Sequence, residues 1–159
     1  MTIFTEIKAV AENVRSNDSQ QLIKQLSDEL ANIYEVTDGS AGFVPEDVEV
    51  PRAAFVVARI AGCPAGCGAI RPLNEHTVEV KRMYTVPKYR RKGVAQAILA
   101  ELERLAGHFG YREIVLQTGP RQPEAIALYE RVGYKHIPIF SGDWEEVSAF
   151  QKDLTKTQA

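Results

Sequence analysis

Residues 77–119 read TVEVKRMYTVPKYRRKGVAQAILAELERLAGHFGYREIVLQTG, and this stretch decides the fold. It opens with an apolar run, Thr77 to Val86, and closes with a second one, Glu113 to Gly119. The residues between them recur at helical spacing, and Gly110 can take the left-handed conformation that ends a helix. A strand, a helix and a strand joined in this order form a right-handed crossover, so the two strands are predicted to be parallel.

The other apolar runs predict a mixed sheet around this parallel pair. Ala53 to Ala61 and Gly66 to Leu73 are separated by the short turn 62–65 and lead through 74–76 into Thr77, which predicts an antiparallel meander. Further strands are predicted at Glu6 to Val10, at Tyr134 to Phe140 and at Ser148 to Leu154, the last two joined by Ser141 to Val147. The expected class is therefore α/β (α+β), with helices flanking the sheet.

Three helices are predicted. Asp18 and Gln21 resemble a capping box ahead of apolar residues at helical spacing, namely Leu22, Ile23, Leu26, Leu30 and Ile33. The second helix runs from Val94 to Phe109, and Pro123 and Gly133 bound a short third one. Tyr34 to Arg52 breaks all periodicity and reads as a loop with room for one turn of helix.

The composition indicates an ordinary soluble globule. The chain has 159 residues, 45% hydrophobic and 25% charged, with a net charge of −2. One domain over residues 1–159 is expected, with 155–159 as a frayed tail. The acidic balance argues against nucleic acid as a partner, and no segment has the length of a membrane span or a signal peptide. These features predict a cytoplasmic protein.

Two cysteines, Cys63 and Cys67, flank a predicted hairpin turn. A zinc site needs further ligands, and no second cluster of cysteine or histidine lies at zinc spacing. His76, His108 and His136 share no ligand pattern. The expectation is therefore reduced structural thiols and no metal.

The segment Arg90-Arg91-Lys92-Gly93-Val94-Ala95 opens the second helix and is a candidate phosphate cradle. Amides from Arg91 to Gln96 can point at one anion, and the helix dipole favours negative charge there. Gly93 allows close approach, and the side chains of Arg90, Arg91 and Lys92 would add positive charge. The segment matches neither the P-loop nor the dinucleotide-binding pattern, and a solvated basic turn remains the alternative.

Tyr129 and Glu79 are the candidate proton-transfer residues, each with an ordinary structural alternative. Tyr129 lies on an apolar helix face and can be a core tyrosine, yet a phenol beside the cradle can protonate a departing thiolate. Glu79 alternates with Val78 and Val80 on its strand. It can be a surface charge or, if it faces a cleft, a proton acceptor.

Two motifs are similar to those of the GNAT superfamily of acyl-CoA-dependent N-acetyltransferases. They are Arg90-x-x-Gly93-x-Ala95 and Ala125-x-x-Leu128-Tyr129-Glu130-Arg131-x-Gly133-Tyr134, and the resemblance spans about Ala53 to Leu154. It implies acetyl-CoA as cosubstrate, bound where the parallel strands Thr77 to Val86 and Glu113 to Gly119 splay apart. It also implies that a homodimer is possible.

The resemblance further implies roles for individual residues. The pantetheine would lie along Met83, Tyr84 and Thr85, and the pyrophosphate would lie on Arg91, Lys92, Gly93, Val94, Ala95 and Gln96. The Met83 amide would bind the thioester oxygen, Tyr129 would be the general acid and Glu79 the base. Gln117 occupies another base position of the family but cannot take a proton. Gln122 stands where an asparagine that contacts CoA is common.

The predicted activity is acetyl transfer to a primary amine by direct attack in a ternary complex. The alternative is a non-catalytic acyl-CoA-binding module that regulates a partner. The acceptor is not identified, because Tyr34 to Arg52 and Pro138 to Val147, which would select it, carry no motif. The acids around Trp144 either favour a cationic acceptor or are simply solvated.

Overall fold

A computed structural model describes residues 6–155 as a seven-stranded sheet with three α-helices. The elements are β1 (Ile7–Ala11), α1 (Asn17–Ile33), β2 (Ala54–Ile60), β3 (Cys63–Pro72), β4 (Thr77–Thr85), α2 (Val94–His108), β5 (Glu113–Thr118), α3 (Pro123–Arg131), β6 (Lys135–Ile137) and β7 (Ser148–Asp153). Single 3₁₀ turns occupy Pro45–Val48 and Pro87–Tyr89. Within residues 6–155, no helix is both long and apolar enough to cross a membrane.

The sheet has the order β1-β2-β3-β4-β5-β7-β6 and is mixed, as predicted. The pair β4–β5 is parallel, and the other pairings of the described strands are antiparallel. Parallel pairing joins only Thr77–Glu79 to Glu113–Val115. Beyond these residues β4 continues to Thr85 and β5 to Thr118 without pairing to each other, so the two strands splay apart.

The two faces of the sheet carry separate cores. On one face α2 and α3 pack on the sheet, and Ile98, Leu99 and Leu102 of α2 are at most 1% exposed. Burial of each such side chain contributes about 1.5–3 kcal/mol. On the other face Leu22 and Leu26 of α1 pack against the sheet together with residues of the loop that follows α1. The splay between β4 and β5 therefore lies between two well-packed layers.

Helix α1 begins earlier than the sequence predicted, and the predicted Asp18–Gln21 capping box is wrong. Ser16 is the N-cap, and its hydroxyl accepts a hydrogen bond from the Ser19 amide at 3.1 Å. Asp18 instead lies in the first helical turn, where its carboxylate pairs with Arg59 at 2.8 Å. Ser16 is the cap because it directly precedes the helix and has the extended backbone conformation of an N-cap, from which its hydroxyl oxygen can accept a bond from the first turn.

Two strand boundaries also differ from the prediction. The first hairpin turns on Ala61 and Gly62, with φ of 51° and 81°, so β3 begins at Cys63 instead of Gly66. Strand β6 is shorter than the predicted 134–140 at both ends. Tyr134 does not join it, because the Tyr134 amide donates to the Tyr129 carbonyl at the end of α3. The strand ends at Ile137, because Pro138 has no amide to continue the ladder. The predicted frayed tail lies outside the described residues except for Thr155.

Candidate active site

A cavity of about 170 Å³ opens where β4 and β5 separate. Its walls come from Val80–Met83 of β4 and Leu116–Thr118 of β5, with Leu26 and Leu30 of α1 on one face of the sheet. Ala125 and Tyr129 of α3 line it on the other face. The cavity therefore reaches through the sheet, where two ligands can meet from opposite faces.

A β-bulge forms the β4 wall of this cavity. Cys67 pairs with Tyr84 and Ala69 with Lys81, so Gly68 alone faces both Arg82 and Met83. Arg82 takes a left-handed conformation with φ of 57°, which is unusual for a residue with a side chain. A bulge leaves one residue outside the regular ladder. Arg82 and Met83, both on the cavity wall, are therefore the two residues of β4 that lie outside the regular pairing with β3.

Gly68 makes room for the side chain of Met83. A Cβ at this position would lie 2.7 Å from the Met83 sulfur and 2.8 Å from Ile98 Cγ2. Met83 consequently packs against the α2 core, while the bulge reverses the alternation so that Tyr84 joins the core on the α1 face. The predicted pantetheine segment, Met83–Thr85, thus lies in the part of β4 that extends beyond its pairing with β5.

Tyr129 lies on α3 with its side chain 4% exposed, and it lines the cavity opposite the bulge. Its ring packs against Tyr134 and Phe150, with centroids 5.7 Å and 5.6 Å away. Burial raises the pKa of the Tyr129 phenol above its ordinary value of about 10. The hydroxyl therefore stays protonated throughout the physiological range, as a general acid requires.

The predicted phosphate cradle is a turn with two left-handed residues. Arg91 has φ of 64° and Gly93 has φ of 86°, and α2 begins immediately afterwards at Val94. The first helical hydrogen bond runs from Ala97 to the Gly93 carbonyl at 3.0 Å. The amides of residues 94–96 precede it and have no acceptor within the helix. Space above the turn is open, because the nearest atom to a Cβ at Gly93 would be 3.9 Å away.

The side chain of Arg90 is engaged elsewhere and does not extend over this turn. Its Nε donates to the Thr85 carbonyl at 3.0 Å, and its guanidinium pairs with Glu29 of α1 at 2.6 Å. Arg90 thus fixes the turn to β4 and to α1. Arg91 and Lys92 remain exposed beside the cradle, so they are the side chains that can add charge to a bound anion.

Glu79 is buried and paired, which excludes the surface-charge alternative. It is 3% exposed and accepts from Arg71 Nε at 3.1 Å, and Arg71 also pairs with Asp47 at 2.7 Å. Glu79 does not line the cavity, whereas Lys81, on the same face of β4, does. A proton that leaves the cavity for Glu79 must therefore pass through an intermediate carrier such as water.

Two glutamines on the cavity wall hold neighbouring segments. Gln122 Oε1 accepts from the Tyr34 hydroxyl at 2.9 Å and from the Gly119 amide at 3.3 Å, which leaves its amide nitrogen as the donor end. Gln117 accepts from the amides of Phe140 and Ser141 at 2.8 and 3.1 Å. Gln117 therefore positions the β6–β7 loop, a role consistent with its lack of a basic group.

Sequence reasoning missed Tyr34, which packs behind two residues of the cavity wall, Gln122 and Gly119. A Cβ on Gly119 would fall 2.0 Å from the Tyr34 hydroxyl, so a glycine is required where the two segments meet. The Tyr34 ring also contacts Trp144 edge-on, with centroids 5.4 Å apart. No local pattern signals these contacts, because their partners lie far apart in sequence.

Two basic residues on the cavity wall, Lys81 and Arg82, were also missed as site residues. Arg82 donates to the carbonyls of Gly39 and Ala41 at 3.1 and 3.4 Å, and Ala41 itself lines the cavity. Burial lowers the pKa of both Lys81 and Arg82. The alternation of side chains along residues 78–81 could have identified Lys81 from the sequence, since it places Lys81 on the same face of the strand as Glu79.

The cysteines are both free thiols. Cys63 is exposed on the hairpin, whereas Cys67 is buried and its Sγ lies 3.4 Å from the Arg82 carbonyl. Burial raises the pKa of the Cys67 thiol to about 12, which makes it a poor nucleophile at neutral pH. Over residues 6–155, no group of three or more metal-ligating side chains is placed to hold an ion.

Comparison with known proteins identifies the class. Residues 20–134 match the model of the acetyltransferase (GNAT) family. The chain belongs to this family, and the predicted acyltransferase class is confirmed.

Relatives named as acetyltransferases occur in both bacteria and animals. An IAA acetyltransferase of Azospirillum brasilense is 33% identical over 115 residues, covering 72% of this chain and 74% of the relative. An uncharacterised N-acetyltransferase of Escherichia coli is 31% identical, covering 69% and 67%. A Xenopus tropicalis relative named as an N-acetyltransferase is 39% identical, but the chain spans only 44% of its length.

Solved structures share the whole fold. A Klebsiella pneumoniae protein solved as a candidate acyl-CoA N-acyltransferase is 27% identical, with a TM-score of 0.75 and coverage of 93% of this chain and 97% of that one. A GNAT acetyltransferase of Elizabethkingia anophelis, solved with acetyl-CoA bound, is 15% identical with a TM-score of 0.68, covering 92% and 97%. At that identity the second structure shows similarity of fold alone.

Proposed function

We propose that the protein transfers an acetyl group from acetyl-CoA to a primary amine by direct attack in a ternary complex. The observation that carries this proposal is the cavity through the splayed strands. It has a bulged backbone on one wall and a buried, protonated phenol on the other. Membership of the GNAT family supports acetyl-CoA as the donor.

The donor half of the site consists of the cradle and the strand that leads to it. The amides from Arg91 to Gln96 would receive the pyrophosphate, with the exposed charges of Arg91 and Lys92 beside it. The pantetheine would run along Met83–Thr85, past the point where β5 no longer pairs with β4. Gln122 would offer its amide nitrogen to the same ligand.

The reaction forms a carbon–nitrogen bond and breaks the carbon–sulfur bond of the thioester. The neutral amine nitrogen attacks the thioester carbonyl, whose oxygen gains negative charge beside the Met83 amide. One such donor can be worth about 2.7–4 kcal/mol in the transition state. As the carbon–sulfur bond breaks, the Tyr129 hydroxyl gives its proton to the CoA thiolate. The nitrogen loses its proton to Glu79 through water, or to a water chain alone, and the products are an N-acetylated amine and CoA.

Direct transfer is favoured over an acyl-enzyme because no cysteine lies at the reacting position. Cys67 is buried against the Arg82 carbonyl with a raised pKa, and neither Cys63 nor Cys67 lines the cavity. A covalent intermediate would need an activated nucleophile beside a base. Single-turnover mixing without acceptor should therefore release no stoichiometric burst of CoA.

Two measurements test the proposal. Calorimetry with acetyl-CoA establishes whether the donor binds, and thiol release over a panel of primary amines establishes whether transfer occurs. We expect binding together with acceptor-dependent thiol release. Binding with no release on any amine would instead support the alternative function, a non-catalytic acyl-CoA-binding module.

A further inference from the structure

The cavity has a basic patch, formed by Lys81 and Arg82, on the face of the sheet that α1 covers. Tyr129 and Ala125 line the opposite end, so this patch lies on the side from which the acceptor would approach a thioester held near α3. The function proposed above assigns no role to either cation. Lys81 and Arg82 are nevertheless the charged residues that line the cavity.

Lys81 has no protein counter-ion of its own. Within residues 6–155 no carboxylate pairs with its ammonium, because the two that attract it, Glu79 and Asp47, are both bonded to Arg71. Burial accordingly lowers the pKa of Lys81. A charge removed from water without a partner is costly, and a bound anion would remove that cost.

The balance of charge around the patch is positive. Three cations, Arg71, Lys81 and Arg82, face two buried or half-buried carboxylates, Glu79 and Asp47. Asp38 also attracts Arg82, but its carboxyl is fully exposed. The guanidinium of Arg82 is anchored to the carbonyls of Gly39 and Ala41, whereas the Lys81 ammonium makes no hydrogen bond or ion pair within residues 6–155. Lys81 is therefore the better placed of the two cations to bind a ligand.

The position of Lys81 also limits the size of the ligand. It lies two residues before Met83, so the two Cα atoms are at most about 7 Å apart along the strand. The loop Gly39–Gly42 closes over the same place, held by Arg82 and by Arg71, which donates to the Gly42 carbonyl at 2.9 Å. An anion bound here must therefore lie close to the attacking nitrogen.

We propose that Lys81 binds the carboxylate of the acceptor, and that the acceptor is a free amino acid or a similarly small molecule with a carboxylate next to its primary amine. This inference rests on the proposed function, because it takes the cavity to be the place of acetyl transfer. An ammonium–carboxylate contact in a partly desolvated site is a charge-assisted hydrogen bond. Its loss corresponds to about a tenfold to hundredfold change in specificity.

The test compares amino acids with their carboxamides, which keep the amine and the side chain but lack the negative charge. For the wild-type protein we expect kcat/KM, measured as CoA thiol release, to favour the acid about tenfold to a hundredfold. Lys81→Met keeps the length of the side chain without the charge and should reduce turnover of the acids to the level of the carboxamides. Equal turnover of acids and carboxamides by the wild type, or a preference that survives in Lys81→Met, would overturn the proposal.

Two further variants separate charge from other effects. Lys81→Arg keeps the charge but cannot lose its proton, so it should retain a preference for acids. If Lys81 were instead the base, Lys81→Arg would lose turnover of acids and carboxamides alike, which would refute carboxylate binding as its role. Lys24→Met removes an exposed lysine of α1 that pairs with Asp28, and it should behave as the wild type.

A binding measurement distinguishes failure of this inference from failure of the proposed function. Calorimetry with an N-acetyl amino acid, added to protein saturated with CoA, reads carboxylate recognition without chemistry. Thiol release without preference for acids would refute the carboxylate site alone. No release on any amine would refute the proposed function. The carboxylate site would then stand only if the N-acetyl amino acid binds the wild type and loses affinity in Lys81→Met.

Discussion

Replacing Tyr129 with phenylalanine removes one hydroxyl from the wall of the cavity and leaves the packing intact. The ring contacts with Tyr134 and Phe150, 5.7 and 5.6 Å between centroids, can be kept by a phenylalanine. The free energy of unfolding should therefore change by less than about 1 kcal/mol. Loss of a general acid should slow the chemical step by about 10²–10⁴, or roughly 2.7–5.5 kcal/mol in activation free energy.

The assay must isolate the chemical step. Single-turnover mixing of excess protein with acetyl-CoA and a saturating amine, followed by a thiol-reactive dye, reports CoA release before product dissociation. Because Cys63 is exposed, the series is made in a Cys63→Ser background. Tyr134→Phe is the matched control, since its hydroxyl donates to Glu103 at 2.8 Å. It should lose about 1.5–3 kcal/mol of stability, because the lost bond is to a carboxylate, and keep its rate.

The pH dependence gives an independent check on Tyr129. Burial raises the pKa of its phenol, so the acid form persists above the ordinary tyrosine value of about 10. Deprotonation of Tyr129 should thus cause no fall in the wild-type rate below that pH. A single-turnover rate in Tyr129→Phe equal to that of the wild type, with acetyl-CoA affinity retained, would remove Tyr129 from the role of acid.

Three further predictions follow from local geometry. Gly93→Ala places a side chain at φ of 86°, a strain of about 1–2 kcal/mol, and should weaken acetyl-CoA binding several-fold by calorimetry. The control, Gly107→Ala in α2, should leave the affinity unchanged and stabilise the helix by about 0.5–1 kcal/mol. Alkylation at pH 8 should label Cys63 alone in the native state and also Cys67 after unfolding, whereas rapid native labelling of both would contradict the burial of Cys67. Glu103→Gln weakens the pair with Lys152 and should lower the urea midpoint by an amount equivalent to roughly 1 kcal/mol, and an unchanged midpoint would show that the pair contributes nothing.

The sequence was sufficient for the elements that carry local patterns. The parallel crossover of β4, α2 and β5 follows from apolar periodicity, and the turn before α2 follows from Gly93 and its basic neighbours. The N-cap of α1 was missed because Ser16 and Asp18 both offer a capping oxygen, and only backbone conformation at the helix start selects between them.

Contacts between distant segments could not be predicted from these patterns. Tyr34 reaches Gln122 across 88 residues and Arg90 reaches Glu29 across 61, and both pairs depend on how α1 lies on the sheet. The burial of Glu79 has the same origin, since its partner Arg71 meets it only once β3 and β4 are in register. Side-chain pairing of this kind is a property of the assembled sheet.

The bulge at Arg82 connects the two halves of the proposed site. The left-handed conformation of Arg82, with φ of 57°, turns the chain so that Met83 leaves the regular ladder. Such a conformation costs of order 1–3 kcal/mol and persists where surrounding contacts hold it. Here those contacts are the hydrogen bonds from Arg82 to Gly39 and Ala41, in the loop that closes over the proposed acceptor end of the cavity. The Arg82 side chain therefore links the loop that contains Gly39 and Ala41 to the bulge that carries the proposed oxyanion donor, the Met83 amide. A change in that loop should alter the rate of acetyl transfer as well as the choice of acceptor.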